Sequence, residues 1–195
     1  MKRIAILLLI ALLLTGCARS GPSGIPPTDP TAAEMPGTYK GLGSKMPEIT
    51  VSVADGRTVK LSELLKEKEL VVLNFWYEDC PWCVREFPVL ELAYQAYRED
   101  VEILALNPAD GAQAVKNFQS GHGLSFLMAA CPRSWATECG VNVYPTSIFI
   151  DRYGTVCLVQ VGAITTDYAW KQLFAAFTGD DYQQRVYNDV SQILG

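Results

Sequence analysis

Val71-Val72-Leu73-Asn74-Phe75-Trp76 is followed, after Tyr77-Glu78-Asp79, by Cys80-Pro81-Trp82-Cys83 and then by Val84-Arg85-Glu86-Phe87-Pro88. The first run is continuously apolar apart from Asn74, the pattern of a strand buried on both faces. After the cysteines, Phe87, Leu90, Tyr94 and Tyr97 recur at helical spacing to about Arg98, with Pro88 expected to kink the helix. Two thiols are therefore delivered to the junction of a strand and a helix. At i and i+3 in a first turn they lie on one face, within bonding reach. Cys80 stands where unpaired N–H groups and the positive end of the helix dipole favour a thiolate. Pro81 suits the first helical position, where its fixed φ is helical and its missing N–H would have no partner. This is the pattern of a disulfide that is made and broken in use.

A lone CxxC is also half of a zinc site, or an inert structural disulfide. Zinc would need two more ligands, and the chain offers His122 and the pair Cys131 and Cys139, at a spacing that matches no common knuckle. Neither a metal nor a cofactor is expected.

Upstream, Ile49–Val53 and Thr58–Leu61 flank the turn residues Asp55-Gly56 as a small hairpin, and Ser62 is placed to cap a short helix through Lys66. Downstream, Val101–Leu106 reads as a strand, Ala112–Phe118 as a helix and Ser125–Ala129 as a short strand. A weak helix over Ser134–Glu138 would end at Gly140. Thr146–Ile150 and Thr155–Val161 flank Asp151-Arg152-Tyr153-Gly154 as a hairpin, and helices are expected over Asp167–Phe177 and Tyr182–Leu194. The order β-α-β-α-β-β-α predicts an α/β sandwich around a mixed central sheet. No internal repeat is present.

The 195-residue chain opens with Lys2-Arg3 and an apolar run from Ile4 to Leu14. That run fits the core of an export signal and is too short to span a bilayer. Leu14-Thr15-Gly16-Cys17 resembles a bacterial lipobox, so residues 1–17 are expected to be a lipoprotein signal and Cys17 the lipidated anchor; a plain secretory signal is the competing reading. Residues 18–43 carry Pro22, Pro26, Pro27, Pro30 and Pro36 and almost no large apolar side chains, which predicts an extended tether. Residues 44–195 suffice for one domain. The expected location is the cell membrane, held by lipid, facing its extracytoplasmic side.

A net charge of −5 with no basic stripe argues against nucleic acid. With Cys17 acylated, five of the six cysteines remain, an odd number that cannot all pair internally. Cys131 and Cys139 could bridge if Cys131 lies off the helix, whereas two turns of continuous helix would hold them about 12 Å apart. Cys157 is most simply a small buried hydrophobe.

The string Val71–Trp76, then Cys80-x-x-Cys83-x-x-Glu86-Phe87-Pro88, then Tyr144-Pro145-Thr146, resembles the TlpA/ResA branch of the thioredoxin superfamily over roughly Lys45–Phe177. The resemblance implies a thioredoxin-like fold, to which the last helix, beyond Phe177, is added outside the common core, and a membrane-anchored thiol-disulfide oxidoreductase. It implies partners among extracytoplasmic proteins with reducible disulfides, such as apocytochromes or methionine sulfoxide reductases, and a CcdA-like or DsbD-like membrane electron donor. Cys80 is then the nucleophile and Cys83 the resolving thiol. Glu86 is the acid that tunes the thiols and passes protons to Cys83, against the competing reading of a solvated helix glutamate. Asn74 stands where thioredoxin has a buried aspartate, which gives Glu86 more weight. Pro145 matches the superfamily's cis-proline, though sequence alone leaves its isomer open, and Tyr144, Pro145 and Trp82 are assigned to substrate binding. Glu78 and Asp79 oppose a thiolate at Cys80, which favours a reductase over a disulfide-forming oxidase. A non-catalytic, substrate-holding lipoprotein is the remaining alternative. A peroxiredoxin would want a threonine at Tyr77, and a Sco-type copper chaperone CxxxC and a partnering His.

Overall fold

The computed structural model describes residues 39–179 together with Asp181 and Tyr182. The signal segment, Cys17, most of the tether and the helix expected over residues 182–194 (bar Tyr182 itself) lie outside the described residues. Elements follow in the order β1 (Thr50–Ser52), β2 (Thr58–Lys60), α1 (Leu61–Glu67), β3 (Leu70–Phe75), α2 (Pro81–Tyr97), β4 (Val101–Asn107), α3 (Ala112–His122), β5 (Leu127–Ala130), α4 (Arg133–Glu138), β6 (Thr146–Asp151), β7 (Val156–Val161) and α5 (Asp167–Thr178). Five strands form one mixed sheet in the order β5-β4-β3-β6-β7, and β1 pairs with β2 separately. β3, β4 and β5 run parallel, while β6 and β7 are antiparallel to their neighbours. This is the thioredoxin-like sandwich expected from the sequence, with α5 as its C-terminal helix.

β4, β3 and β6 are the three central strands and both of their faces are covered: every residue of β3, β4 and β6 is buried. Alternation along β3 divides the core in two. Val71, Leu73 and Phe75 meet the β1–β2 hairpin, α1 and α4, with Ile49, Val51, Leu61 and Trp135. Leu70, Val72 and Trp76 face α2, α3 and α5, with Phe87, Phe118, Trp170 and Phe174. Asn74 shares that second parity, so its amide points at the helical layer. Trp76 packs on Phe87 and Phe118 at ring-centroid distances of 5.1 and 4.6 Å, which seats the start of α2 on the sheet.

Several boundaries differ from the sequence reading for local reasons. α3 runs on to His122, where Gly123 takes φ +62° and its N–H reaches back to Gln119 and Ser120. Gly140, at φ +67°, follows the end of α4 as expected. Ser62 does not cap α1: the N-cap is Lys60, and the Glu48 carboxylate accepts the N–H groups of Ser62 (3.1 Å) and Ile49 (3.0 Å). Residues 39–43, placed at the end of the tether, lie against the domain; Tyr39 packs on the core and the Gly43 N–H donates to Val156 O (2.8 Å). Among the described residues no helix is long and apolar enough to cross a membrane.

Because Glu48 does the work of a cap residue, Glu48→Ala should lower the unfolding free energy by about 1 kcal/mol. Urea denaturation at neutral pH measures it; Ser62→Ala should leave the midpoint nearly unchanged.

Candidate active site

The chain leaves β3 at Phe75, passes Trp76–Asp79 and enters α2 at Pro81, which occupies the first helical position. Cys80 is the N-cap; the Cys83 N–H donates to its Sγ at 3.1 Å, and Cys80 and Cys83 are joined in a disulfide with Cα atoms 5.3 Å apart. The sulfur at the N-cap takes the place of the side-chain oxygen that ordinarily satisfies an orphan N–H. The two cysteines differ little in exposure: Cys80 is 3% exposed and Cys83 is fully buried. Both belong to the core on the helical side of the sheet, and it is Trp82, 54% exposed, that stands out at the turn. The Arg85 guanidinium lies 5.2 Å from the centre of the Trp82 ring. Glu78 and Asp79 are exposed, so water screens their charge at Cys80. The Glu78 N–H is held by Asp110 (2.8 Å), itself fixed by Asn107.

β6 runs antiparallel to β3 with Thr146 opposite Phe75, so the segments that continue past this pair emerge side by side. Tyr77 and Tyr144 meet edge to face at 5.2 Å, and the Tyr144–Pro145 bond is cis. Tyr77, Pro108, Ala109, Arg133 and Tyr144 line a groove of about 300 Å³ beside this contact. Arg133, Pro108 and Ala109 were not singled out in the sequence, and no short-range pattern marks them.

Glu86 lies one turn beyond Cys83 and is 1% exposed. Its Oε2 accepts from Asn74 Nδ2 (3.0 Å) and its Oε1 from the Ile164 N–H (2.8 Å), in the segment after β7. Asn74 Nδ2 also donates to Ser147 Oγ (2.9 Å). Burial pushes the Glu86 carboxyl up to about 7, against the opposing pull of the Ile164 and Asn74 donors. An acid that titrates near neutrality can take a proton and return it.

The other thiols have a different environment. Burial pushes Cys131, Cys139 and Cys157 up to about 12. Cys131 precedes the α4 N-cap Pro132 and so lies off the helix, yet no disulfide joins it to Cys139. Cys157 is half-buried, and its thiol donates to Phe149 O (3.4 Å). His122 stacks on Phe118 at 3.9 Å, with Nδ1 2.9 Å from Phe118 O.

A dithiol pair at a helix N-terminus, beside a cis-proline loop on a thioredoxin-like sheet, defines a protein of the thiol-disulfide exchange class. Residues 42–173 match the redoxin family. The chain is 35% identical over 113 residues to the thiol-disulfide oxidoreductase ResA of Halalkalibacterium halodurans, a match covering 57% of this chain and 63% of that protein. It is 34% identical to ResA of Bacillus thuringiensis, covering 65% of this chain and 73% of that one. A Chlorobium tepidum structure assigned as the thiol:disulfide interchange protein DsbE superposes with a TM-score of 0.64 at 29% identity, over 72% of this chain and 100% of that one. The chain belongs to the redoxin family, among thiol-disulfide oxidoreductases of ResA type.

Glu86 makes stability depend on pH. Its carboxyl holds a proton more tightly folded than unfolded, so its contribution is complete below about 4.5 and is lost as the pH rises through about 7. Over that window the loss amounts to about 3 kcal/mol. Glu86→Gln should flatten the pH dependence of urea unfolding of the oxidised protein between pH 4.5 and 8 by up to that amount.

Proposed function

We propose that this chain is a lipid-anchored, extracytoplasmic reductase of protein disulfides. The observation that carries the reading is the Cys80–Cys83 disulfide at the start of α2 with the buried Glu86 carboxyl one turn beyond it. In the dithiol state the Cys80 thiolate attacks a partner's disulfide, forms a mixed disulfide and releases one partner sulfur as a thiolate, which takes a proton from water. Cys83 then gives its proton to Glu86, attacks the Cys80 sulfur and expels the second partner sulfur, again as a thiolate that water protonates. The Cys80–Cys83 disulfide closes, and two electrons have passed to the partner. The proton on Glu86 is returned when a membrane electron donor of CcdA or DsbD type restores the dithiol. Trp82 stands between the two cysteines in sequence and Tyr144 packs against the core cluster that holds them; with Pro145 they would serve to hold an extended partner strand.

The lipobox-like Leu14-Thr15-Gly16-Cys17 supports anchoring through Cys17 and work outside the cytoplasm. Apocytochromes and methionine sulfoxide reductases are the partner classes proposed. Glu78 and Asp79 beside Cys80, weakened by water but opposed by no basic residue inside the CPWC turn, tilt the couple toward reduction rather than oxidation. The couple should therefore lie nearer thioredoxin, at about −270 mV, than DsbA, at about −120 mV; equilibration with glutathione buffers decides, and a value above about −180 mV would mean an oxidant.

Cys83→Ala removes the thiol that ends the mixed disulfide, so cells carrying it should accumulate a reductant-sensitive covalent adduct in the membrane fraction, identifiable by mass spectrometry. Cys80→Ala should give far less. Adducts equally abundant in both, or dependent on Cys131, Cys139 or Cys157, would place the nucleophile elsewhere. Their absence from both would favour a holding role without turnover.

A further inference from the structure

We propose that Asn74 is a positioning residue for the thiol chemistry, its amide orienting the Glu86 carboxyl for proton exchange with Cys83; this rests on the role given to Glu86 above. Asn74 is fully buried one residue before the end of β3, on the face that α2 covers. The amide nitrogen donates to Glu86 Oε2 at 3.0 Å, the arrangement that suits the ionised carboxylate, which only accepts hydrogen bonds. The same nitrogen donates to Ser147 Oγ at 2.9 Å, from the neighbouring strand β6. Both amide hydrogens are thus used, and turning the amide over would aim its carbonyl at the carboxyl. The orientation is held although Asn74 Oδ1 is left buried without a partner, which costs free energy.

The groups that act on the Glu86 proton are few. Asn74 donates to its carboxyl from β3 and the Ile164 N–H from the segment after β7, while on its own helix the nearest titratable group toward the sulfurs is Cys83, one turn before it and joined to Cys80. Ser147 of β6 acts through Asn74. No charged side chain among the described residues shifts it: burial raises its pKa, and the two N–H donors alone oppose that. One donor is main chain and the other is Asn74, so Asn74 is the side chain through which this proton is set. Leucine there would leave Glu86 one donor short, and aspartate would press a second carboxylate against it. An amide both donates and carries no charge.

The test is the pH profile of iodoacetamide alkylation of the reduced, full-length chain between pH 5 and 9. It compares wild type, Asn74→Ala, Asn74→Asp, Glu86→Gln and the Asn74→Ala/Glu86→Gln double variant, with unfolding temperatures read alongside. The inflection that Glu86→Gln abolishes should move up by about one pH unit in Asn74→Ala, because the carboxylate has lost a donor. It should move further in the isosteric Asn74→Asp, where two buried carboxyls compete for one proton. In the Glu86→Gln background, Asn74→Ala should move no inflection. A profile unchanged by both Asn74 substitutions, or a lowered unfolding temperature with the inflection in place, leaves Asn74 a structural residue only and overturns the proposal. So does an equal shift in the Glu86→Gln background. If Glu86→Gln itself superimposes on wild type, the role of Glu86 falls and this one with it.

Discussion

β3 and β6 lie antiparallel with Phe75 opposite Thr146, and the chemistry of this protein depends on that register. Trp76–Cys80 continues from one strand and Val143–Pro145 leads into the other, so an antiparallel pair in this register brings both to the same sheet end. A slip of one residue would turn every side chain of β3 to the other face. Asn74 would then leave Glu86 and face the layer of Val51 and Trp135, and Trp76 would lose Phe87 and Phe118. Apolar burial on both faces of β3 resists such a slip, so the packing that stabilises the fold also fixes the distance between the sulfurs and the loop that borders them.

Within that frame one unfavourable feature stands out. A carboxyl group is buried one turn beyond a disulfide with two N–H donors and, among the described residues, no cation. A lysine or arginine partner would stabilise it more, but would hold it ionised across the working pH range and remove its use as a proton acceptor. A fully apolar pocket would hold it protonated. Two neutral donors against burial leave it between these limits, where a change of charge at the sulfurs can move its proton.

The larger elements were legible because each rests on a local pattern. The run ending in Val71–Trp76 is long and apolar enough to read as a buried strand, Val101–Leu106 and Thr146–Ile150 read as strands within a residue of their observed ends, and the Cys80-Pro81 step marks the start of α2 by its own chemistry. What could not be read were contacts between elements. Glu48 serves as the cap of α1 from fourteen positions upstream of Ser62, where no local rule searches. Ile164 reaches Glu86 through a main-chain N–H that almost any residue could supply, so its identity carries no signal. Arg133, Pro108 and Ala109 converge only because β4 and β5 end beside the Tyr77–Tyr144 contact. Glu86 itself was ambiguous between a tuned acid and a solvated helix residue, and only the docking of α2 against β3 shows it buried.

The same burial separates the thiols by function. Cys131, Cys139 and Cys157 sit where a thiolate would lack solvent, and burial keeps them protonated. Cys80 is at least as buried, yet it caps a helix, where the orphan N–H groups and the dipole replace the solvent it has lost. Proximity to the helix terminus, and not exposure, is therefore what supports the proposal of Cys80 as the nucleophile. Opening the disulfide then adds two sulfurs that must be protonated or charged next to Glu86. A thiolate at Cys83 would raise the Glu86 pKa further, and closing the disulfide would lower it again. By linkage, the protonation of Glu86 must in turn bias the equilibrium between dithiol and disulfide, so that proton and electron transfer are two readings of one coupled site.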